Sequence, residues 1–226
     1  MLALPKTKKE VEEIVAYCRE QGLSWLVLGN ASNLIVRDGG IRDVVIMLTE
    51  MKEIKVAGTT MIVDAGAKLI DTTYEALAAD LTGFEFACGI PGSVGGAVYM
   101  NAGAYGGEIK DVFQSAEVLL ADGTIQTMTK EDLNFRYRHS EIQELHCIVL
   151  QATFALEKGK HAEIKAQMDE LTELRELKQP LEYPSCGSVF KRPVGHFTGE
   201  INPRRWLTRL KMGRCSNFRK ACGIYC

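Results

Sequence analysis

No stretch of the chain approaches the roughly 18 consecutive apolar residues that a bilayer-spanning helix needs, so a membrane span is excluded. The N-terminus, MLALPKTKKEVEE, lacks an apolar signal core and turns acidic at once, which predicts a cytoplasmic protein. Excess charge is lacking too. The 27 Lys and Arg against 29 Asp and Glu leave a net of −2, which argues against a dedicated nucleic-acid binder. Metal-ligand spacing is also missing. Cys18, Cys88, Cys147 and Cys186 stand singly, as reduced cytoplasmic thiols do, and Cys215, Cys222 and Cys226 crowd the end without a histidine or a zinc-type interval. No metal site is read.

What is present is an ordinary globular composition: 226 residues, 46% hydrophobic and 25% charged, enough for one sizeable domain or two small ones around a buried core. The charge is unevenly placed. Residues 201–226 hold seven Lys or Arg and no acid, so the first 200 carry a net of −9. Thr7 with Glu10 three residues on is a capping box that opens a helix with Val11, Ile14, Val15 and Cys18 on one face, and Gly22 stops it. Trp25 to Leu28 is a strand. Leu34-Ile35-Val36 resumes it after the turn formers Gly29-Asn30-Ala31-Ser32-Asn33, and Asp38-Gly39-Gly40 turns the chain before the strand Val44-Val45-Ile46. Hairpins are expected around Gly58 and Asp122-Gly123, helices over Leu69–Asp80 and His161–Lys178, and a strand over Ile148–Phe154.

Residues 83–107 hold eight of the 21 glycines. Gly89, Gly92, Gly95 and Gly96 let a backbone approach a ligand and turn its N–H groups outward, which suits a phosphate or pyrophosphate. A glycine-rich turn required only for folding is the alternative. Pro91 breaks the G-x-G-x-x-G spacing and G-x-x-x-x-G-K-[ST] occurs nowhere, so the loop is neither a Rossmann fingerprint nor a P-loop. The segment Gly29 to Asn33 offers amide and hydroxyl donors to an anion, or is an Asx-type turn. Tyr137-Arg138-His139-Ser140 is a third candidate, with a solvated loop charge as the alternative. Ser188 follows a glycine and has the cations Lys191 and Arg192 close behind, a setting in which a hydroxyl acts as an acid. Nothing resembles G-x-S-x-G, so a hydrolase triad has no support.

Four motifs in this order, LGNASNLIVRDGG, GFEFACGIPGSVGGAVYMNAGAYGGEI, FRYRHS and LKQPLEYPSCGSVFKRP, closely resemble the UDP-N-acetylenolpyruvoylglucosamine reductase family, from about residue 2 to residue 199. The resemblance implies an α+β fold. A two-subdomain FAD-binding domain of the PCMH/vanillyl-alcohol-oxidase-like kind covers residues 1–156, in subdomains of about 1–48 and 49–156. An incomplete α+β substrate-binding domain follows over 157–226. It implies that Gly29, Asn30, Ala31, Ser32 and Asn33, with Gly89, Ile90, Pro91, Gly92, Ser93, Gly95 and Gly96, line FAD mainly at its pyrophosphate, with Asn101 and Gly103 nearby. NADPH is the implied hydride donor and a UDP-sugar enolpyruvyl ether the small-molecule substrate, in peptidoglycan precursor synthesis. Ser188 matches the family's proton donor. Arg138 matches the arginine that stabilises the enolate, a role suited to a permanently charged fork of donors. Tyr137, Lys191 and Arg192 are further substrate-side contacts by the same resemblance.

Both ends depart from the family pattern, which has a segment before Met1 and a continuation beyond Glu200 that carries a catalytic glutamate. The tail after about residue 199 is basic and cysteine-rich. A one-base shift in permitted codons from Glu200 converts it into family-like sequence, so a frameshift near codons 199–200 is expected, with an impaired enzyme and a tail that is poorly ordered or loosely helical. The alternatives are a flavin-binding remnant without turnover and an interaction protein whose glycine loop is structural.

Overall fold

The computed structural model describes residues 1–179 and, beyond them, Gly187, Lys191 and three short strands of the tail. The chain opens with a parallel sheet. Strands β1 (Leu2–Ala3), β2 (Trp25–Leu28) and β3 (Val44–Met47) lie in the order β1-β3-β2. Helix α1 (Lys8–Glu20) packs against it through Val11, Val15 and Cys18, which share one core with Val44 and Ile46. Thr7 caps α1 by accepting the Glu10 N–H at 3.2 Å. The Glu10 carboxylate takes the N–H of Lys6 at 2.7 Å, so the reciprocal bond expected at Thr7 falls one residue earlier. Gly22, at φ +63°, ends the helix, and Leu23 donates back to the Cys18 carbonyl at 2.8 Å.

The second sheet is antiparallel and is made from β4 (Ile54–Ala57), β5 (Thr60–Asp64), β9 (Phe113–Leu119), β10 (Ile125–Thr129) and β11 (Ile148–Ala155). Their order is β10-β9-β11-β5-β4. Both expected hairpins are here, turning at Gly58 and at Asp122-Gly123, with both glycines at positive φ. Helix α2 (Leu69–Ala78) lies where the periodicity put it. Between α2 and β9 the chain makes β6 (Leu81–Thr82), a short helix α3 (Val94–Tyr99), the hairpin β7 (Gly103–Ala104) with β8 (Gly107–Glu108), and α4 (Ile109–Val112). A one-turn helix α5 (Ile142–Leu145) precedes β11. Strand β12 (Glu157–Lys158) pairs with β6, and α6 (His161–Lys178) has its expected bounds. Helix α6 buries only Ile164 and Met168 fully, against Leu77 and Cys88.

Two expectations are corrected. Leu34-Ile35-Val36 is exposed and forms no strand, because β2 pairs with β3 only as far as Leu28 and Met47 and the turn after it leads the chain off the sheet. Where the tail is described it is strand and not helix. β13 (Lys211–Met212), β14 (Cys215–Asn217) and β15 (Ile224–Tyr225) pair antiparallel.

The two sheets share one core. Ile46 of the first sheet and Val11 of the helix packed on it join Leu119, Leu150 and Phe154 from the second. A chain of aromatic contacts runs through it, with ring centroids 4.9 Å apart for Phe84 and Phe154, 6.3 Å for Phe113 and Phe154, and 5.0 Å for Phe113 and Phe135. A polar link runs alongside. Lys8 of α1 pairs with Glu117 of β9 and reaches Gln151 at 3.1 Å, and Gln151 donates to Asp64 at 3.0 Å. Phe154 is fully buried where the aromatic contacts branch. Phe154→Ala is expected to cost about 3–5 kcal/mol in urea unfolding; a loss below about 1 kcal/mol would contradict this account of the core.

Candidate functional site

Two of the predicted loops meet. Ser32 Oγ donates to the Pro91 carbonyl at 3.0 Å. A Cβ built on Gly29 would lie 2.0 Å from Ser93 Oγ, so the end of β2 and the start of α3 abut with no room for a side chain. Gly92 sits at φ +146° beside Ser32, a backbone state that side-chain-bearing residues rarely adopt. Gly187 joins them from the fourth motif, its would-be Cβ 2.7 Å from Asn33 Oδ1. Lys191 is exposed. Ser188 and Arg192 lie outside the described residues.

The glycines divide by purpose more sharply than the sequence suggests. Gly95 does not turn its N–H to a ligand; it donates to Ala65 O at 2.8 Å, and a Cβ there would stand 2.9 Å from the Ala65 methyl. Gly96 gives its N–H to Ser93 Oγ at 3.3 Å, the N-cap bond of α3. Ile90 donates to Ala87 O at 3.0 Å, and Gly89 faces the Arg175 side chain of α6. The cradle is elsewhere. Among the described residues, the N–H groups of Asn30, Ala31, Ser32, Asn33, Gly92 and Ser93 take no intramolecular acceptor. These donors line two touching turns, and one turn is strained, since Ala31 holds φ +51°. Such a set answers an anion of the phosphate class.

Helix α3 leads from this cradle to the other motif. Its N-cap is Ser93, and at its far end the Tyr99 carbonyl accepts from Ser140 Oγ and from Gln143 Nε2, both at 2.8 Å. At about 1.5 Å per residue the helix sets the two ends roughly 9 Å apart. Arg136 and His139 close the turn between them by reciprocal backbone bonds of 3.0 and 3.1 Å. The Arg136 guanidinium lies 3.0 Å from His139 Nε2, and a guanidinium only donates, so that nitrogen accepts. Arg138 occupies the turn at φ +57°. Its guanidinium is half-buried, donates to Gly103 O at 3.1 Å and lies 5.3 Å from the centre of the exposed Tyr137 ring. Glu108 stands nearby. Burial pushes its carboxyl up, but hydrogen bonds from Lys110 and Asn101 and the charges of Lys110 and Arg138 outweigh that and hold it below its ordinary value.

Asn101 and Gly103 fall behind this turn. The Asn101 amide spends both donors and its oxygen on protein partners, and a Cβ on Gly103 would meet the Gly107 carbonyl at 2.7 Å. The latching residues Ser140, Gln143 and Glu108 carried no sequence signal beyond the proximity of Ser140 to Arg138. A cavity of about 330 Å³ between β1 and α1, lined by Leu4, Ile14, Tyr17 and Val44 among others, includes none of the predicted site residues.

Comparison with known proteins shows the family. Residues 1–129 match a family model described as a FAD binding domain. A UDP-N-acetylenolpyruvoylglucosamine reductase of Enterococcus faecalis is 91% identical over 224 residues, covering 99% of this chain and 75% of its own length. One of Streptococcus pneumoniae is 55% identical, covering 99% of the chain and 74% of its own length.

The chain belongs to the UDP-N-acetylenolpyruvoylglucosamine reductase family.

The crystal structure of such a reductase from Thermus caldophilus superposes with a TM-score of 0.86 at 33% identity, covering 99% of this chain and 80% of that one. The fold alone extends further, to a glucose dehydrogenase variant of Phl p 4 at a TM-score of 0.53 and 17% identity over 70% of the chain. The expected α+β flavin-domain architecture is therefore the observed one, and FAD is the cofactor. The donor set fits it. Backbone N–H groups without an intramolecular acceptor on two touching turns are donors of the kind a pyrophosphate takes, and a Cβ on Gly92 would lie 3.2 Å from Ser32 Oγ where the turns meet. No helix among the described residues is long and apolar enough to cross a membrane.

Residues other than glycine carry a cost at positive φ of roughly 1 kcal/mol or more. Arg138→Gly is therefore expected to be about 1 kcal/mol more stable than Arg138→Ala in urea unfolding, since both remove the guanidinium and only one keeps the strain. Equal stability of the two variants would mean that the turn relaxes and that Arg138 is not held by force.

Proposed function

We propose that this chain reduces UDP-N-acetylenolpyruvoylglucosamine to UDP-N-acetylmuramate with NADPH as the hydride donor, a step in peptidoglycan precursor synthesis. Residues 1–156 serve the cofactor and the chain from 157 onward serves the substrate. The observation that carries the reading is the rigid pairing of an anion cradle with a strained, half-buried arginine at opposite ends of α3. FAD, when bound, relays the hydride from NADPH to the enolpyruvyl double bond.

The chain's own groups account for the rest. The N–H groups of residues 30–33 and of Gly92 and Ser93 hold the pyrophosphate. The Gly95 contact with Ala65 sets where α3 begins and so where the cradle lies. Hydride addition leaves negative charge on the carbon beside the substrate carboxylate, delocalised onto that carboxylate. Arg138 meets it with a planar, permanently charged fork that is already aimed before substrate arrives. Tyr137 packs beside the guanidinium, and Lys191 and Arg192 serve the substrate's phosphates. Ser188 gives the proton to the carbon, as the family resemblance implies.

Two measurements test this reading. The purified chain is expected to carry a visible flavin absorbance band, and Gly92→Ala to lower flavin content at least tenfold while far-ultraviolet circular dichroism stays native. Unchanged flavin content in that variant removes the cradle assignment. Arg138→Lys is expected to keep its flavin and to bind the enolpyruvyl substrate roughly ten- to a hundredfold more weakly by calorimetry, since a point charge does not replace a bidentate fork. Parental affinity in Arg138→Lys would sink the assignment of the substrate carboxylate to this arginine. A chain that holds FAD but binds no enolpyruvyl substrate would be a flavin-binding protein of another purpose.

A further inference from the structure

We propose that Asn101 is a positioning residue for Arg138, holding the turn that presents the guanidinium instead of touching the cofactor. The inference rests on the reading of Arg138 as the substrate's charge partner. Asn101 is fully buried, and its backbone is strained at φ +43°. Its Nδ2 donates to Glu108 Oε2 and to the Arg136 carbonyl, each at 3.0 Å, and its Oδ1 accepts from the Lys110 N–H at 3.0 Å. A side-chain amide has two N–H donors, and both are used. No donor remains for a cofactor oxygen.

The partners show what the amide does. Arg136 O also receives the His139 N–H and is one of the two bonds that close the turn around Arg138. Glu108 pairs with Gly103 across the β7–β8 hairpin, and Gly103 O is the acceptor for the Arg138 guanidinium. The backbone of the turn and the tip of Arg138 are thus both referenced to one hairpin, and Asn101 is the side chain bonded to each side of that frame. Only an amide of this length supplies two donors and one acceptor here. Aspartate has the same shape but offers no donor when ionised, and it would stand against the Glu108 carboxylate.

The test combines Asn101→Asp, Arg138→Lys and the double variant, read by FAD content per chain and by calorimetric affinity for UDP-N-acetylenolpyruvoylglucosamine. Asn101→Asp is expected to retain parental FAD content and to weaken substrate binding roughly ten- to a hundredfold at neutral pH. The double variant is expected to bind no more weakly than Arg138→Lys alone, because the amide acts only through the arginine. The groups facing position 101 are Glu108, with Lys110 and Arg138 on its far side, and the Arg136 carbonyl. Burial and the Glu108 carboxylate raise the new carboxyl's pKa, so mildly acidic pH neutralises it, removes the repulsion and restores one donor to the frame, and the Asp variant regains affinity where the parent does not. Additive losses, FAD loss as deep as in Gly92→Ala, or no acid recovery would each overturn the inference. If Arg138→Lys binds like the parent, the functional reading itself fails. If Arg138→Lys is impaired and Asn101→Asp is not, this inference alone fails. Should Asn101→Asp not accumulate as folded protein, Asn101→Ser, which adds no charge and keeps a single hydroxyl donor, enters the same cycle, and additivity there is equally decisive.

Discussion

The contact on which the site depends is the seating of α3 against Ala65. Ala65 is fully buried at the end of β5, where its N–H donates to Leu150 O of β11 and its carbonyl takes the N–H of Gly95. Ala67 O takes the Val94 N–H, and Leu69 donates to Gly92 O, so backbone bonds on both sides fix the first turn of the helix to the sheet. This approach is possible only because position 95 has no side chain. Widen it by one methyl and the helix moves off the sheet, carrying the cradle at one end and the Tyr99 carbonyl that anchors the arginine turn at the other. The site's accuracy is a property of backbone packing first and of side-chain chemistry second.

Against that fixed helix the site holds strained backbone. Ala31, Asn101 and Arg138 all occupy the left-handed region, at a cost of roughly 1 kcal/mol or more for Ala31 and Arg138 and less for Asn101, whose residue type adopts it more readily. The latches identify what offsets it. Ser32 ties its turn to Pro91, while Ser140, Gln143 and Asn101 tie the arginine turn to the end of α3 and to the hairpin behind it. A typical hydrogen bond contributes about 1 kcal/mol net, so several per turn suffice to hold a geometry the local chain would not choose. Strain of this kind has a use at an anion site. The donors stand in place before the ligand arrives, and little ordering cost remains to be met on binding.

Much of this was legible in the chain. Hydrophobic spacing located α1, α2, α6 and the hairpins, because those signals are local and the sheet and helix faces they bury are continuous. The glycine-rich segment marked the site for a sound reason but with the wrong division of labour. Sequence cannot distinguish a glycine that admits a ligand from one that admits a neighbouring element. Gly95 yields to Ala65 and Gly89 to Arg175, partners that lie 30 and 86 positions away. Leu34-Ile35-Val36 reads as a strand and is none, since strand character needs a partner edge and the turn before it leads the chain away from β3. Asn101 read as a cofactor neighbour because it sits in the right motif. That its amide is already satisfied depends on the β7–β8 hairpin and on the turn at Arg136, neither of which has a signal of its own.

The proposed function divides in the same way between backbone and side chain. In the function proposed above, the cofactor is met chiefly by main-chain N–H groups, which any residue supplies provided the path of the chain is kept. In the same proposal the substrate's developing charge is met by Arg138, which cannot be exchanged for another cation without losing its fork. Between the two stand residues bonded only to the protein frame: Ala65 and Gly95, which seat α3, and Ser140 and Asn101, which tie the arginine turn to it. Substitutions among such residues act through geometry, so their effects appear at the arginine or at the cradle according to which end of α3 they hold. A change at Ala65 or Gly95 therefore disturbs both ligands together, whereas one at Ser140 or Asn101 disturbs the substrate and leaves the cofactor in place.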